Sequence, residues 1–292
     1  MPSNLYPTEV EISAKSVENL SRILKLAYKD VVSQISTATD FGVNNRRVIL
    51  SQIEVILEGA GVDVQAFLNE EMPGHYKVGA DYAVKQLKNM GVELPISKGF
   101  SVVNREALQF LIDETTQQMF ESLTGVRRSA DLLLGRATRE AITQNIATGQ
   151  ISGANLKQVA KTIKGTLVEQ GLDALVDKRG RGWSLDTYSE MLFRTKVVQA
   201  RNYGFANRLV ENGMDLVQVS GHGATDICGQ WEGKILSLTG KTPGYPTLAE
   251  AEVSGLFHPN CKHAINAVTP SLARKTRAYD SSKKTLTGPL DT

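Results

Sequence analysis

Apolar residues set the rhythm of the first half of the chain. From Val10 to about Thr37, the positions Val17, Leu20, Ile23, Leu24, Ala27, Val31 and Ile35 recur at three- and four-residue intervals, one face of an amphipathic helix. Val48, Ile49, Ile53, Val55 and Ile56 continue such a face to Gly59-Ala-Gly61, and Val64, Phe67 and Leu68 carry it to Met72-Pro73-Gly74, where it is expected to break. A further segment begins at His75-Tyr76, with Ala80, Tyr82, Ala83, Leu87 and Met90 on one side and Gly91 at its end. The longest periodic stretch starts after Asn104, a potential N-cap, and reaches Thr148-Gly149. Within it Met119, Leu123, Val126, Ala130, Leu133, Ala137 and Ala141 alternate four and three apart, close to a coiled-coil seam. A seam requires a partner, either an earlier helix of the same chain or a second copy associating through residues 104–148. Gly125 and Gly135 are expected to mark bends, and another helix is expected from Ser152-Gly-Ala-Asn155 through Leu167.

The pattern changes at Lys178-Arg-Gly-Arg-Gly182, which gathers charge and glycine without apolar periodicity and reads as a linker. Beyond it, a helix opening at Trp183-Ser184 sends Tyr188, Met191, Leu192, Thr195, Val198 and Phe205 toward a core and ends near Asn212-Gly213. Arg194 stands among these positions, where a buried guanidinium needs a partner such as Asp226 or a row of carbonyls. Leu216–Ser220, Lys234–Leu238 and Ile265–Val268 read as strands, and Thr247-Leu-Ala-Glu250 as the start of a short capped helix. The fold class is therefore α+β: a mostly α-helical N-terminal domain over 1–178, a small α+β module over 183–270, and a tail over 271–292. Few apolar residues lie between Gly221 and Pro259, so the core of the module is expected to be thin.

With 292 residues, 41% hydrophobic content and a net charge of +2, the chain has material for ordinary cores and no overall bias toward nucleic acid. No apolar run approaches the roughly eighteen residues a membrane span needs. The opening Met-Pro-Ser-Asn-Leu-Tyr lacks the order of a secretory signal, so synthesis and residence in the cytoplasm, with no membrane partner, are expected. Charge concentrates in the tail, where Arg274, Lys275, Arg277, Lys283 and Lys284 stand against Asp280 and Asp291. Such a segment either contacts DNA phosphates without reading sequence or is simply solvated.

The chemistry concentrates between His222 and His263, which hold both cysteines and three of the four histidines. Cys228, His258, Cys261 and His263 supply the four N and S donors of a tetrahedral structural zinc site, with His222 as a fifth candidate. Ion binding to such a set is itself folding free energy and would compensate a thin core. Competing readings are a disulfide, disfavoured in a reducing compartment, and polar residues without metal. Two catalytic readings also stand: a Cys228 nucleophile with His222 or His258 and Asp226, and an HNH-like metal-dependent nuclease built on His258, Asn260 and His263.

Arg194-Thr195, Gly213-Met-Asp215, Gly221-His222, Asp226-Ile-Cys228, Gly233-Lys-Ile, Ser237-Leu-Thr-Gly240, Tyr245-Pro246 and Gly255-Leu-Phe-His258-Pro-Asn-Cys261-Lys-His263 together resemble the phage minor capsid protein 2 family. That family is similar to the Mu F-like head morphogenesis group. The resemblance covers about residues 183–270. Lys262 stands where an Arg is usual, and Cys228-Gly-Gln-Trp231 replaces the Cys-x-x-Cys of many Mu F-like relatives. It implies a non-enzymatic minor head protein of a tailed phage, inside the capsid near the portal vertex, aiding head assembly and DNA packaging or delivery. The implied partners are the portal protein, the major capsid or scaffolding protein, and packaged double-stranded DNA. A Cys/His-dependent hydrolase or metal-dependent nuclease is the alternative.

Overall fold

The computed structural model describes residues 14–38, 43–92, 102–148, 174–176, 182–269 and 271–273. The elements are α1 (Ala14–Ser36), α2 (Val43–Asn89), α3 (Val102–Thr148), β1 (Ala174–Val176), β2 (Gly182–Ser184), α4 (Leu185–Glu211), β3 (Leu216–Val219), a 3-10 turn (Gly229–Trp231), β4 (Ile235–Ser237), α5 (Leu248–Val253) and β5 (Ile265–Ala267). The class is α+β, as the periodicities imply. The expected helix beyond Ser152 and the basic residues Arg274, Lys275, Arg277, Lys283 and Lys284 lie outside the described residues. No described helix is long and apolar enough to cross a membrane.

Two compact units divide the chain. One is built from the described parts of Ser13–Leu68 and Asp113–Glu190, the other from those of Asn69–Ile112 and Met191–Thr292.

In the first unit, α1 buries Leu20, Leu24, Ala27, Val31 and Ile35, the face read from its spacing. The expected interruptions of the next segment are absent: α2 runs unbroken through Gly59, Gly61 and Pro73. Its buried stripe explains why. Ile49, Ile53, Leu57, Ala60, Val64, Leu68, Met72, Tyr76, Ala80, Ala83 and Leu87 follow one another at three or four residues across all three breakers. Continuous burial outweighs the roughly 3 kcal/mol that an interior proline costs. Along α3, the seam positions Met119, Leu123, Val126 and Ala130 are buried within this single chain, so this part of the seam is covered intramolecularly, while the side chains of Leu133, Ala137 and Ala141 lie outside the described residues. Gly135 marks close packing where a bend was expected. A Cβ there would lie 3.3 Å from Nη2 of Arg46, whose Nε and Nη2 donate to Asp131 at 3.0 and 2.6 Å.

The second unit is organised by a helix crossing. A Cβ on Gly79 of α2 would fall 1.9 Å from the carbonyl oxygen of Arg201, and one on Gly204 of α4 would fall 2.0 Å from that of Tyr76. The two backbones approach to a distance only paired glycines permit. Beside this crossing His75 meets Arg201 (3.4 Å) and packs edge-on against Phe193. Burial, with the Arg201 charge, holds the His75 pKa down to about 4.

Strand β3 is central in a three-stranded antiparallel sheet of order β4-β3-β5, pairing Val217 with Leu236 and with Ala267. Gln86 of α2 fastens β5 from outside, donating to Asn266 Oδ1 and accepting from Ala267 N, each at 2.8 Å. The core around the sheet is fuller than the residues between Gly221 and Pro259 imply. Ala83 and Leu87 of α2 join Phe205, Leu209, Val217, Val219, Trp231, Leu236, Leu248, Leu256, Phe257 and Ile265, with both cysteines among them. A boundary drawn at residue 178 leaves those two α2 side chains apart from their packing partners.

One carboxylate knits the far end of the β3–β4 pair. Asp215 accepts from Ser237 Oγ (2.7 Å), Thr239 N (2.8 Å), Thr239 Oγ1 (2.6 Å) and Thr242 Oγ1 (2.5 Å). Burial alone raises its pKa, but the bonds from Thr239, Thr242 and Ser237 together outweigh that and bring it to about 2. Thr247 caps α5 in a complete capping box with Glu250, as its sequence predicts.

Candidate metal centre

Three short pieces of chain converge beside the opposite end of the sheet. Cys228 precedes the 3-10 turn, Glu232 follows it, and His258 to His263 form a tight turn closed by Cys261 N donating to His258 O at 2.9 Å. The turn is bent sharply, because Phe257 and Asn260 both have positive φ, 60° and 65°. Asn tolerates this region, whereas for Phe it costs about 1–2 kcal/mol. The buried ring of Phe257 anchors that strained residue in the core. From α4, Thr195 Oγ1 accepts Asn260 N at 3.4 Å while donating to Met191 O at 2.7 Å. Thr195 is thus the member of the Arg194-Thr195 pair that reaches the turn. Arg194 itself is exposed, contrary to the expectation of a buried guanidinium, because the inward positions around it are taken by Phe193, Thr195, Lys196 and Val197.

The structure places the four sequence-predicted ligands in two overlapping sets that share Cys228, and no single group of mutually close ligand atoms among the described residues contains all four. Cys228 Sγ lies 3.1 Å from His258 Nε2 and 3.8 Å from Cys261 Sγ, and Cys261 Sγ lies 3.2 Å from His263 Nδ1. The cysteines are free, so the disulfide reading does not describe this state. Two thiolates on one zinc at about 2.3 Å are separated by about 3.8 Å, the tetrahedral edge, and a sulfur and a nitrogen by about 3.6 Å. The sulfur pair already has that separation, while each imidazole sits a few tenths of an ångström inside it. Cys228, Cys261 and His263 form one group of mutually close ligand atoms, and Cys228, His258 and Asp226 form a second that shares Cys228.

The outer partners of the two imidazoles select the nitrogens that face the sulfurs. Nδ1 of His258 is 2.7 Å from the Pro259 carbonyl, a contact that requires the proton on Nδ1 and leaves Nε2 as the donor atom for a metal. His263 is wholly buried and uses the opposite nitrogen, since its Nε2 meets Glu232 Oε1 at 3.1 Å. Burial lowers the His263 pKa despite that carboxylate, which keeps the ring neutral as a metal ligand must be. His222, the reserve ligand, does not join the thiols. It lies over His263 with ring centroids 4.3 Å apart and groups with Glu232 and His263.

Asp226 accepts from the Cys228 thiol at 2.8 Å and from Cys228 N at 3.2 Å, and its Oδ2 is 3.2 Å from His258 Nε2. The thiol hydrogen bond is the main reason its pKa is lowered. Burial, reinforced by Asp226, pushes the Cys228 thiol up, so without a metal the sulfur keeps its proton. This is the reverse of a poised nucleophile, which needs a depressed thiol pKa, and Asp226 does not orient the imidazole through its second nitrogen, which the Pro259 carbonyl occupies. Here Asp226 and Cys228 meet the same nitrogen of His258.

Glu232 was not legible as part of the site. Its Oε1 accepts His222 N (2.8 Å), Ala224 N (2.9 Å) and His263 Nε2, and its Oε2 accepts Gly223 N (3.1 Å). The backbone donors, Ala224 first and then His222, bring its pKa down to about 2. Nothing in Trp231-Glu232-Gly233 distinguishes it from an exposed loop carboxylate until the loop is folded over it.

These observations define an α+β protein that carries a Cys/His cluster close enough to hold a metal ion. The sequence pattern of phage minor capsid protein 2 matches the chain over residues 24–287, and the protein belongs to that family. The match takes in the N-terminal helices as well as the module in which the shared motifs were first recognised. Searches of curated proteins and of solved structures return no match. Membership gives the protein a structural role in a phage head.

Proposed function

We propose that this chain is an internal minor head protein of a tailed phage, held near the portal vertex, where it aids head assembly and DNA packaging or delivery. Its partners are the portal protein, the major capsid or scaffolding protein, and packaged DNA, met without sequence preference through Arg274, Lys275, Arg277, Lys283 and Lys284. Cys228, His258, Cys261 and His263 hold one structural zinc that fixes the module. The head role rests on the family match over residues 24–287, and the metal reading on two free, buried thiols at a tetrahedral edge distance, flanked by two imidazoles whose outer nitrogens are occupied. When bound, zinc supplies a fixed centre and no redox chemistry.

Cys261→Ser tests the role. It removes a soft ligand and should lower the amount of protein in purified particles, together with the protease resistance of residues 183–270. Variant protein at full level, as protease-resistant as the parent, in non-infectious particles would replace the structural role with a chemical one.

A further inference from the structure

Among the described groups around the cluster, Glu232 alone touches both a predicted ligand and the backbone of a neighbouring loop. One oxygen, Oε1, receives His263 Nε2 at 3.1 Å, His222 N at 2.8 Å and Ala224 N at 2.9 Å, while Oε2 takes Gly223 N. A loop clamp needs only the three amides. The fourth contact falls on the nitrogen of a fully buried imidazole opposite the one facing Cys261 Sγ.

We infer that Glu232 is the positioning carboxylate of the metal centre, fixing the tautomer and orientation of His263 and tying metal occupancy to closure of the His222–Ala224 loop. The inference rests on the metal reading above and adds a residue outside the ligand set. A carboxylate that accepts the outer N–H of a ligating imidazole holds the ring in place and increases the basicity of the ligating nitrogen, and its loss costs about 10–100-fold in metal affinity. Because the same oxygen carries two loop amides, a ring fixed by metal also fixes their acceptor. The group of His222, Glu232 and His263 is therefore an outer layer of the centre, since the bonds already made to Glu232 leave little capacity for a second ion.

Cobalt(II) is the probe, added anaerobically to the metal-free full-length protein, with affinity read by chelator competition and geometry by the visible and thiolate-to-cobalt absorption bands. The parent should show a tetrahedral spectrum with thiolate bands, and Glu232→Ala should bind about 10–100-fold more weakly. Glu232→Gln keeps an uncharged acceptor of the same shape. It should stay folded by circular dichroism and lie between the two in affinity, which separates positioning from a general loss of structure. Hydrogen exchange at the amides of residues 222–224 should slow on cobalt addition in the parent and not in Glu232→Ala. Parental cobalt affinity in both variants would overturn the inference while leaving the metal centre intact, as would unchanged exchange in the loaded parent. A parent that takes up no cobalt would overturn the metal reading and this inference together.

Discussion

Along α1 and the first part of α2, aliphatic side chains enter the core every third or fourth residue from Leu20 to Leu68. The strands of the other unit are three or four residues long, and polar groups hold their ends: Asp215 at one end, Glu232 and the Cys/His turn at the other. The helical unit repeats one modest contact many times, so a polar or flexible residue within it is absorbed, as at Gly125. The sheet unit depends on a few points where several donors converge on one oxygen, or where two backbones touch. Redundancy in one region and convergence in the other predict opposite responses to similar substitutions.

The largest contrast is between glycines. Gly79→Ala forces a methyl group into the backbone of Arg201, and neither helix has a side chain that can yield. Denaturant unfolding of the full chain should show a loss on the order of 3 kcal/mol or more in the unit containing α4, with exchange protection lost over residues 197–209. Parental protection there would mean that the close crossing is not maintained in solution.

An intermediate effect is expected at the carboxylate end of the sheet. Asp215→Asn replaces a charged acceptor of several donors with a neutral amide whose NH2 cannot accept, and should cost about 2 kcal/mol. The same group sets a pH dependence. Its folded pKa of about 2 lies below the ordinary 3.8, so its stabilisation is present above about pH 4 and lost as pH falls toward 2. Glu232 behaves likewise from its ordinary 4.5 downward. His75 acts earlier: it is held neutral to about pH 4 against an ordinary 6.5, so the unfolded chain takes up a proton first and stability declines from about 6.5 to 4. Acid titration should therefore weaken the sheet unit in two stages, with the lower stage diminished in Asp215→Asn and the upper one diminished in His75→Phe, the buried His263 supplying the remainder.

The smallest effect has the other sign. A Cβ on Gly125 in α3 meets nothing within 4 Å, so Gly125→Ala should stabilise the helical unit by about 0.5–1 kcal/mol. Destabilisation on thermal melting would show that the redundancy assigned to that unit is overstated.

What the sequence revealed follows the same division. Helix periodicity was readable because each buried residue repeats a neighbour's signal, and the three strands and the α5 cap were readable from alternation and from Thr247–Glu250. The breakers in α2 misled because local propensity carries no record of the buried stripe that runs from Ile49 to Leu87 across them. The Cys/His cluster was legible because soft donors are rare and crowd together. Glu232 was not singled out, and Thr195 entered only as a core-facing position and a member of the Arg194-Thr195 pair, since a common residue acquires its role only from what folding places about 3 Å away. Arg194 drew attention as a charge among apolar neighbours, although a half-turn of helix separates it from the buried face.

The central claim, a zinc held by Cys228, His258, Cys261 and His263, is tested most directly by X-ray absorption at the zinc edge on protein purified anaerobically, with metal content measured on the same sample. The account predicts one zinc per chain, bound by two sulfurs at about 2.3 Å and two nitrogens at about 2.0 Å. A metal-free protein whose two thiols both titrate freely after unfolding, and which takes up no zinc on refolding, would contradict it.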